Sequence, residues 1–182
     1  FLALWQELFP MGTIMVLGLI YFKVDTVLLS LLKPAVDVGI YGAAYRIFEV
    51  LLVFPALFLG VVYPELSRAL RDDRHRARAI LQRSWDFLAV LVGAQLGILL
   101  PLSRPLIRLV AGDEFITTST VELLGQPIDS GLVLMVLLPA AMISFFGHLF
   151  GTAIVGLAGQ RRLILPNAIA VAVNLLLNLW LI

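Results

Sequence analysis

The sequence predicts an all-α fold: a polytopic membrane bundle of about five transmembrane helices. Three observations lead there. The chain is 61% hydrophobic and only 14% charged, with a mean hydropathy of +1.02, whereas soluble domains run near ~45–50% apolar and ~25% charged. Five apolar stretches reach the length of about 20 residues that a helix needs to cross a bilayer. Arginines gather between alternate stretches, the pattern that sets the orientation of a multi-pass chain.

The first span covers about residues 8–32. The second covers about 38–63 and is expected to stop at Pro64, since proline cannot continue a helical ladder. The third runs from Trp85 past Pro101 to Val110 (85–110), and the fourth over 131–157. The fifth is "LILPNAIAVAVNLLLNLWLI", 163–182, just long enough at ~1.5 Å per residue for a ~30 Å core. Open strands leave backbone groups unpaired in lipid, and the weak alternation argues against a barrel.

The segment 67–84 reads as a cytoplasmic loop, because it holds Arg68, Arg71, Arg74, Arg76, Arg78 and Arg83. Arg161 and Arg162 lie two spans later and fall on the same side. The acidic stretch "AGDEFITTSTVELLGQPIDS" falls on the other. The chain then starts inside and ends outside. Arg104 and Arg108, near the outer end of the third span, either snorkel to headgroups or line an anion path.

Other features narrow the function. Phe1 and the lack of a basic leader suggest an internal piece of a longer protein, with no signal peptide in view. There is no cysteine and the net charge is +1, which excludes thiolate chemistry and argues against a nucleic-acid partner. No HExxH, GxSxG or Walker pattern occurs, "RDD" reads as a solvated doublet, and "GLAGQ" is a loop. No metal site, cofactor or enzymatic activity is expected. His148 sits beside Gly147 and Gly151, where small-residue helix packing is expected. Gly39, Gly42, Ala43 and Ala44 suggest close approach of the second helix. Pro55, Pro101, Pro139 and Pro166 suggest bends. Asn167, Asn174 and Asn178 share a face of the last helix and read as interhelical hydrogen-bond glue.

The sharpest signal is charge inside the first two spans. "IYFKVDTVLLSLL" carries Lys23 and Asp25, and the next span carries Arg46 and Glu49. A turn over Lys33–Asp37 centred near Ala35 puts Asp25 opposite Arg46 and Lys23 near Glu49. At ~100° per residue Lys23 and Asp25 point ~160° apart. The expected ordered pair is therefore Asp25–Arg46, with Lys23 reaching toward Glu49 or snorkelling. Charges in spans are costly and face one another or a hydrated cavity. The four are thus either structural ion pairs or the lining of a transport cavity.

The stretch "VDTVLLSLLKPAVDVGIYGAAYRIFEVLLVFPALFLGVVYPELSRAL" resembles the Wzx-type polysaccharide flippases of the multidrug/oligosaccharidyl-lipid/polysaccharide (MOP) exporter superfamily. The resemblance is carried by Val24-Asp25, Val38-Gly39-Ile40-Tyr41 with Ala43, Ala44 and Arg46, then Tyr63-Pro64 with Leu66-Ser67. Further on it is carried by "VAGDEF" and by "GLAGQRR" before the asparagine-bearing helix. It implies the start of the second lobe of a two-lobe transporter. It also implies a bacterial or archaeal protein of the cytoplasmic (inner) membrane that moves a lipid-linked oligosaccharide, a polyprenyl-pyrophosphate glycan, by alternating access. Arg46 and Asp25, with Glu49 and Lys23, would line its cavity, where a guanidinium suits a pyrophosphate. Membrane lipids are partners, and H⁺ or Na⁺ are candidate coupling ions. A cation-coupled multidrug antiporter of the same superfamily is the alternative. A membrane-embedded glycosyltransferase or polymerase would need an acidic or histidine constellation on an outer loop.

Overall fold

The computed structural model describes residues 2–117, 122–123, 126–157 and 159–181. It is helical apart from one two-residue strand pair. The elements are α1 Leu2–Leu32, α2 Ala35–Asp72, α3 Arg74–Ala111, α4 Glu114–Thr117, β1 Glu122–Leu123, β2 Gln126–Pro127, α5 Ser130–Gly156 and α6 Gln160–Leu181. β1 and β2 pair antiparallel, Glu122 opposite Pro127 and Leu123 opposite Gln126. Five helices, α1, α2, α3, α5 and α6, are long and apolar enough to cross a membrane.

Two expectations need correction. Pro64 does not end the second helix, and residues 67–84 are not a loop. α2 runs through Pro64 to Asp72 and α3 begins at Arg74, so Asp73 alone separates them. The flanking "ELSRALRD" is made largely of good helix formers, which outweigh one missing backbone donor. The turn is tight because Asp73 is extended (φ −149°, ψ 99°) and caps α3. Its carboxylate accepts from the backbone N–H of His75 at 2.9 Å and of Arg76 at 3.1 Å, satisfying donors that a helix start leaves open. Arg76 reaches back to Glu65 on α2 at 2.8 Å. All six arginines of this hairpin are exposed.

The buried core belongs to α2, α3 and α5. One cluster gathers Tyr45, Phe48, Leu59, Leu88, Ala141, Phe145 and Leu149, and a second gathers Ala44, Ile47, Leu51, Ile107, Leu134 and Leu138. α2 and α5 run the same way. Ser130 donates to the Ile40 carbonyl at 2.8 Å near their starts, and Gly156 meets Leu70 and Ser67 near their ends. The latter contact also places Arg161 and Arg162 at the arginine-rich end of the bundle. α1 packs chiefly on α6. The most apolar stretches of these two helices contain no buried residue, and they turn Leu19, Leu165, Leu176 and Trp180 outward. Such a surface suits hydrocarbon.

The opposite end is closed by the "VAGDEF" turn. Gly112 ends α3 at φ 106°, a conformation that favours glycine, and its N–H returns to the carbonyls of Arg108 and Ile107. Phe115 then lies 3.5 Å from where a side chain on Gly39 would begin. The expected close approaches therefore shift. Gly42, Gly147 and Gly151 have open space beside them, whereas Gly131 and Gly156 are crowded.

Gly131→Ala is expected to destabilise the chain by about 1–3 kcal/mol, an overpacking cost. The new Cβ would lie 2.4 Å from Arg104 Cγ and 3.2 Å from Arg104 Cα. Gly147→Ala should be neutral or stabilising by about 0.5–1 kcal/mol, since it meets nothing and glycine weakens a helix. Unfolding midpoints in detergent micelles separate the two.

Candidate functional site

The site grows from the α1–α2 hairpin. Its turn is shorter than the sequence suggested. Lys33 N–H closes α1 onto the Leu29 carbonyl at 2.9 Å, and the Pro34 carbonyl already accepts from Asp37 at 3.1 Å and Val38 at 3.3 Å. The centre thus lies between Lys33 and Pro34, not near Ala35. A shift of that size is doubled across a hairpin, so each α1 residue faces a position about three residues earlier on α2, close to a full turn.

This moves Asp25 off Arg46. Asp25 Oδ1 accepts from Asn178 Nδ2 of α6 at 2.8 Å, and its Oδ2 faces the Tyr41 hydroxyl at a long 3.5 Å. Asn178 is held by its own helix as well: the same amide nitrogen lies 2.9 Å from the Asn174 carbonyl and 2.8 Å from Asn174 Oδ1. Three oxygens surround one NH₂ group that has two protons to give. Of the asparagine face of α6, Asn178 acts as interhelical glue, holding Asp25; Asn174 bonds within α6 to Asn178, and Asn167 within α6 to the Leu163 carbonyl at 2.7 Å.

Arg46 is exposed and makes no ion pair or hydrogen bond among the described residues. The angles explain it. Tyr41, Tyr45 and Glu49 recur every four residues and form the α2 face that meets α1, while Arg46 points ~100° from Tyr45. Arg46 instead heads an exposed stripe with Val50, Val53, Leu57 and Val61.

Lys23 takes the first of its two expected options and pairs with Glu49. Its ammonium also lies 5.4 Å from the centroid of the Tyr45 ring, within cation–π range. Tyr45 ties α2 to α1 a second time by donating its hydroxyl to the Phe22 carbonyl. The Lys23 and Glu49 side chains remain 50% and 43% exposed.

A cavity of about 240 Å³ opens where α1, α2, α5 and α6 meet. Asp25, Tyr21, Tyr41, Tyr45, Ser144 and Asn174 supply its polar lining. Water takes ~30 Å³ per molecule in the liquid, so the space suits a small hydrated cluster. One turn beyond, on α5, His148 keeps its Nδ1 at 2.7 Å from the Ser144 carbonyl. A carbonyl only accepts, so that nitrogen carries the proton.

Arg104 and Arg108 lie apart from this site. Arg104 pairs with Asp129 at 2.8 Å, and Arg108 with Asp113 at 3.0 Å. Asp129 is nearly buried and also caps α5, accepting from Leu132 N–H at 2.7 Å. Both guanidiniums are matched by carboxylates, an arrangement that fastens the turn after α3.

Sequence reasoning missed Tyr41 and Tyr45 as site residues. Their spacing of four, opposite Asp25 and Phe22, was the available signal once the turn is placed correctly.

Residues 2–70 match the family model described as polysaccharide biosynthesis protein, the family of the MOP-superfamily polysaccharide flippases. The resemblance read from the sequence therefore holds across α1 and nearly all of α2. Neither a curated protein nor a solved structure matches the chain.

Removing Asp25 and Asn178 together should cost less than the sum of the single losses, with a coupling of about 0.5–3 kcal/mol. Asp25→Ala and Arg46→Ala should instead add within about 0.5 kcal/mol. Double-mutant cycles of chemical unfolding in micelles check both.

Proposed function

We propose that this chain is part of a flippase that carries a polyprenyl-pyrophosphate-linked oligosaccharide across the cytoplasmic membrane of a bacterium or archaeon by alternating access. The family match over residues 2–70 supports the class. One observation carries the site: Arg46, exposed and without a partner among the described residues, about 17 Å along α2 from its start. A guanidinium at that depth is untenable against hydrocarbon and belongs on a water-lined passage. The half-exposed Lys23–Glu49 pair beside it belongs there for the same reason. A fixed planar fork of donors suits the oxygens of a pyrophosphate.

Asp25 takes the other role, sensing a coupling H⁺ or Na⁺. It lies in a small cavity lined in part by aromatic rings, next to amide and carbonyl oxygens of Asn174. Loss of its negative charge would weaken its hold on Asn178 and so loosen α6 from α1. A cation-coupled multidrug antiporter is the second reading, favoured by the same observation of a carboxylate in an aromatic cavity. It predicts export that depends on Asp25 and is indifferent to Arg46.

The arginine-rich α2–α3 hairpin is cytoplasmic in this reading. These 182 residues contain no cysteine; in a protein free of other cysteines a single one reports cleanly, and Arg78 is an exposed position. Arg78→Cys should stay unlabelled by an impermeant thiol reagent in intact cells and react after permeabilisation. Labelling from outside would reverse the orientation.

Arg46→Ala in the parent protein should lower flux per folded molecule at least tenfold and leave lipid-linked oligosaccharide on the cytoplasmic leaflet, an effect of about 1.4 kcal/mol or more. Arg46→Lys should fall between it and the wild type, since the charge survives and the fork does not. Unchanged flux per molecule in Arg46→Ala would remove the anion-ligand role.

A further inference from the structure

We infer that Glu49 holds the place of the substrate's anion on Lys23 while the site is empty, so that displacing it tunes how tightly the anion is kept. The inference rests on the flippase reading above and concerns the same site.

Glu49 stands between two cations. Arg46 lies three residues earlier on the same helix, ~60° away around its axis. Lys23 lies across the hairpin on α1. The carboxylate pairs with Lys23 and leaves Arg46 without an ion pair among the described residues. The cluster therefore has two positive charges and one negative, and only one of the cations is compensated.

The occupied pair is open to exchange. Its side chains are half exposed, whereas the Arg104–Asp129 pair has a carboxylate that is only 5% exposed. An exposed ion pair is worth no more than about 1 kcal/mol, so an incoming anion with several negative charges can replace it. Lys23 is also held in position without Glu49. Its ammonium sits over the Tyr45 ring, and that ring is fixed by its hydroxyl on the Phe22 carbonyl. When the carboxylate leaves, the ammonium stays over the Tyr45 ring.

Such a competitor serves transport. A site that carries an anion across must bind it well enough to load and weakly enough to release, as in ion conduction. Two free cations on one pyrophosphate would hold it too long. Glu49, tethered beside both, reclaims Lys23 and assists departure.

The test uses the full chain in nanodiscs of zwitterionic lipid, with farnesyl pyrophosphate as the probe in titration calorimetry. Glu49→Gln keeps the shape and removes the charge. It should bind the probe about fivefold more tightly than the wild type, the worth of one exposed ion pair, and release it more slowly in stopped flow. Adding Lys23→Met to Glu49→Gln should cancel the gain. Should Glu49→Gln not fold, Glu49→Asp shortens the reach to Lys23 while keeping the charge, and about twofold tightening is expected on the same reasoning. Wild-type binding with no tightening in these variants overturns the role of Glu49 and leaves the anion site standing. No binding by wild type or variants overturns both.

Discussion

A charge placed within a membrane-crossing helix must be matched or hydrated. Left bare in hydrocarbon it costs about 3 kcal/mol or more. Lys23, Asp25, Arg46 and Glu49 answer this constraint in two ways. Asp25 is part-buried and receives a proton donor from α6 and another from α2. Lys23 and Glu49 neutralise each other on a face that stays open, and Arg46 remains on that side without a counter-ion among the described residues. The closed arrangement needs α6 beside α1. The open one needs water at that depth.

Helix packing follows from the same division. α2, α3 and α5 bury interlocking aliphatic and aromatic side chains and supply nearly all of the core. α1 and α6 present apolar surface outward and are joined to the trio largely at polar points, through Tyr45 to Phe22 and through Asp25. The cavity lies on the seam between the pair and the trio. A seam built from a few hydrogen bonds is easier to open than a packed core, because each bond has a net worth of only about 1 kcal/mol.

The five spans were legible because apolar length is a property of sequence alone. The Lys23–Glu49 pair was one of two outcomes left open for Lys23, and the interhelical role expected of the asparagine face on α6 is carried by Asn178. The partner of Asp25 was not legible. It depended on where the turn is centred, and Ala35, which was read as the centre, is in fact the first residue of α2, with Pro34 capping it. An offset of one or two residues there is doubled across the hairpin and moves the position opposite Asp25 by about three residues, away from Arg46 and toward Tyr41. The helical extension to Asp72 was hidden by Pro64, although every long helix here contains proline and runs on past it. The crowded positions at Gly131 and Gly156 depend on α5 meeting α3 and α2, contacts far apart along the chain.

Two residues apart on α1, Lys23 and Asp25 point to nearly opposite sides of one rigid rod. Lys23 grips Glu49 on α2, and Asp25 grips Asn178 on α6. A twist of α1 about its own axis swings both tips together, in opposite directions. It cannot release one handhold and leave the other undisturbed. The helix thus behaves like a key with teeth on both edges, which turns only when both wards are clear. The aromatic pocket on one edge and the open face on the other therefore feel any rotation of α1 together, through the spacing of two side chains.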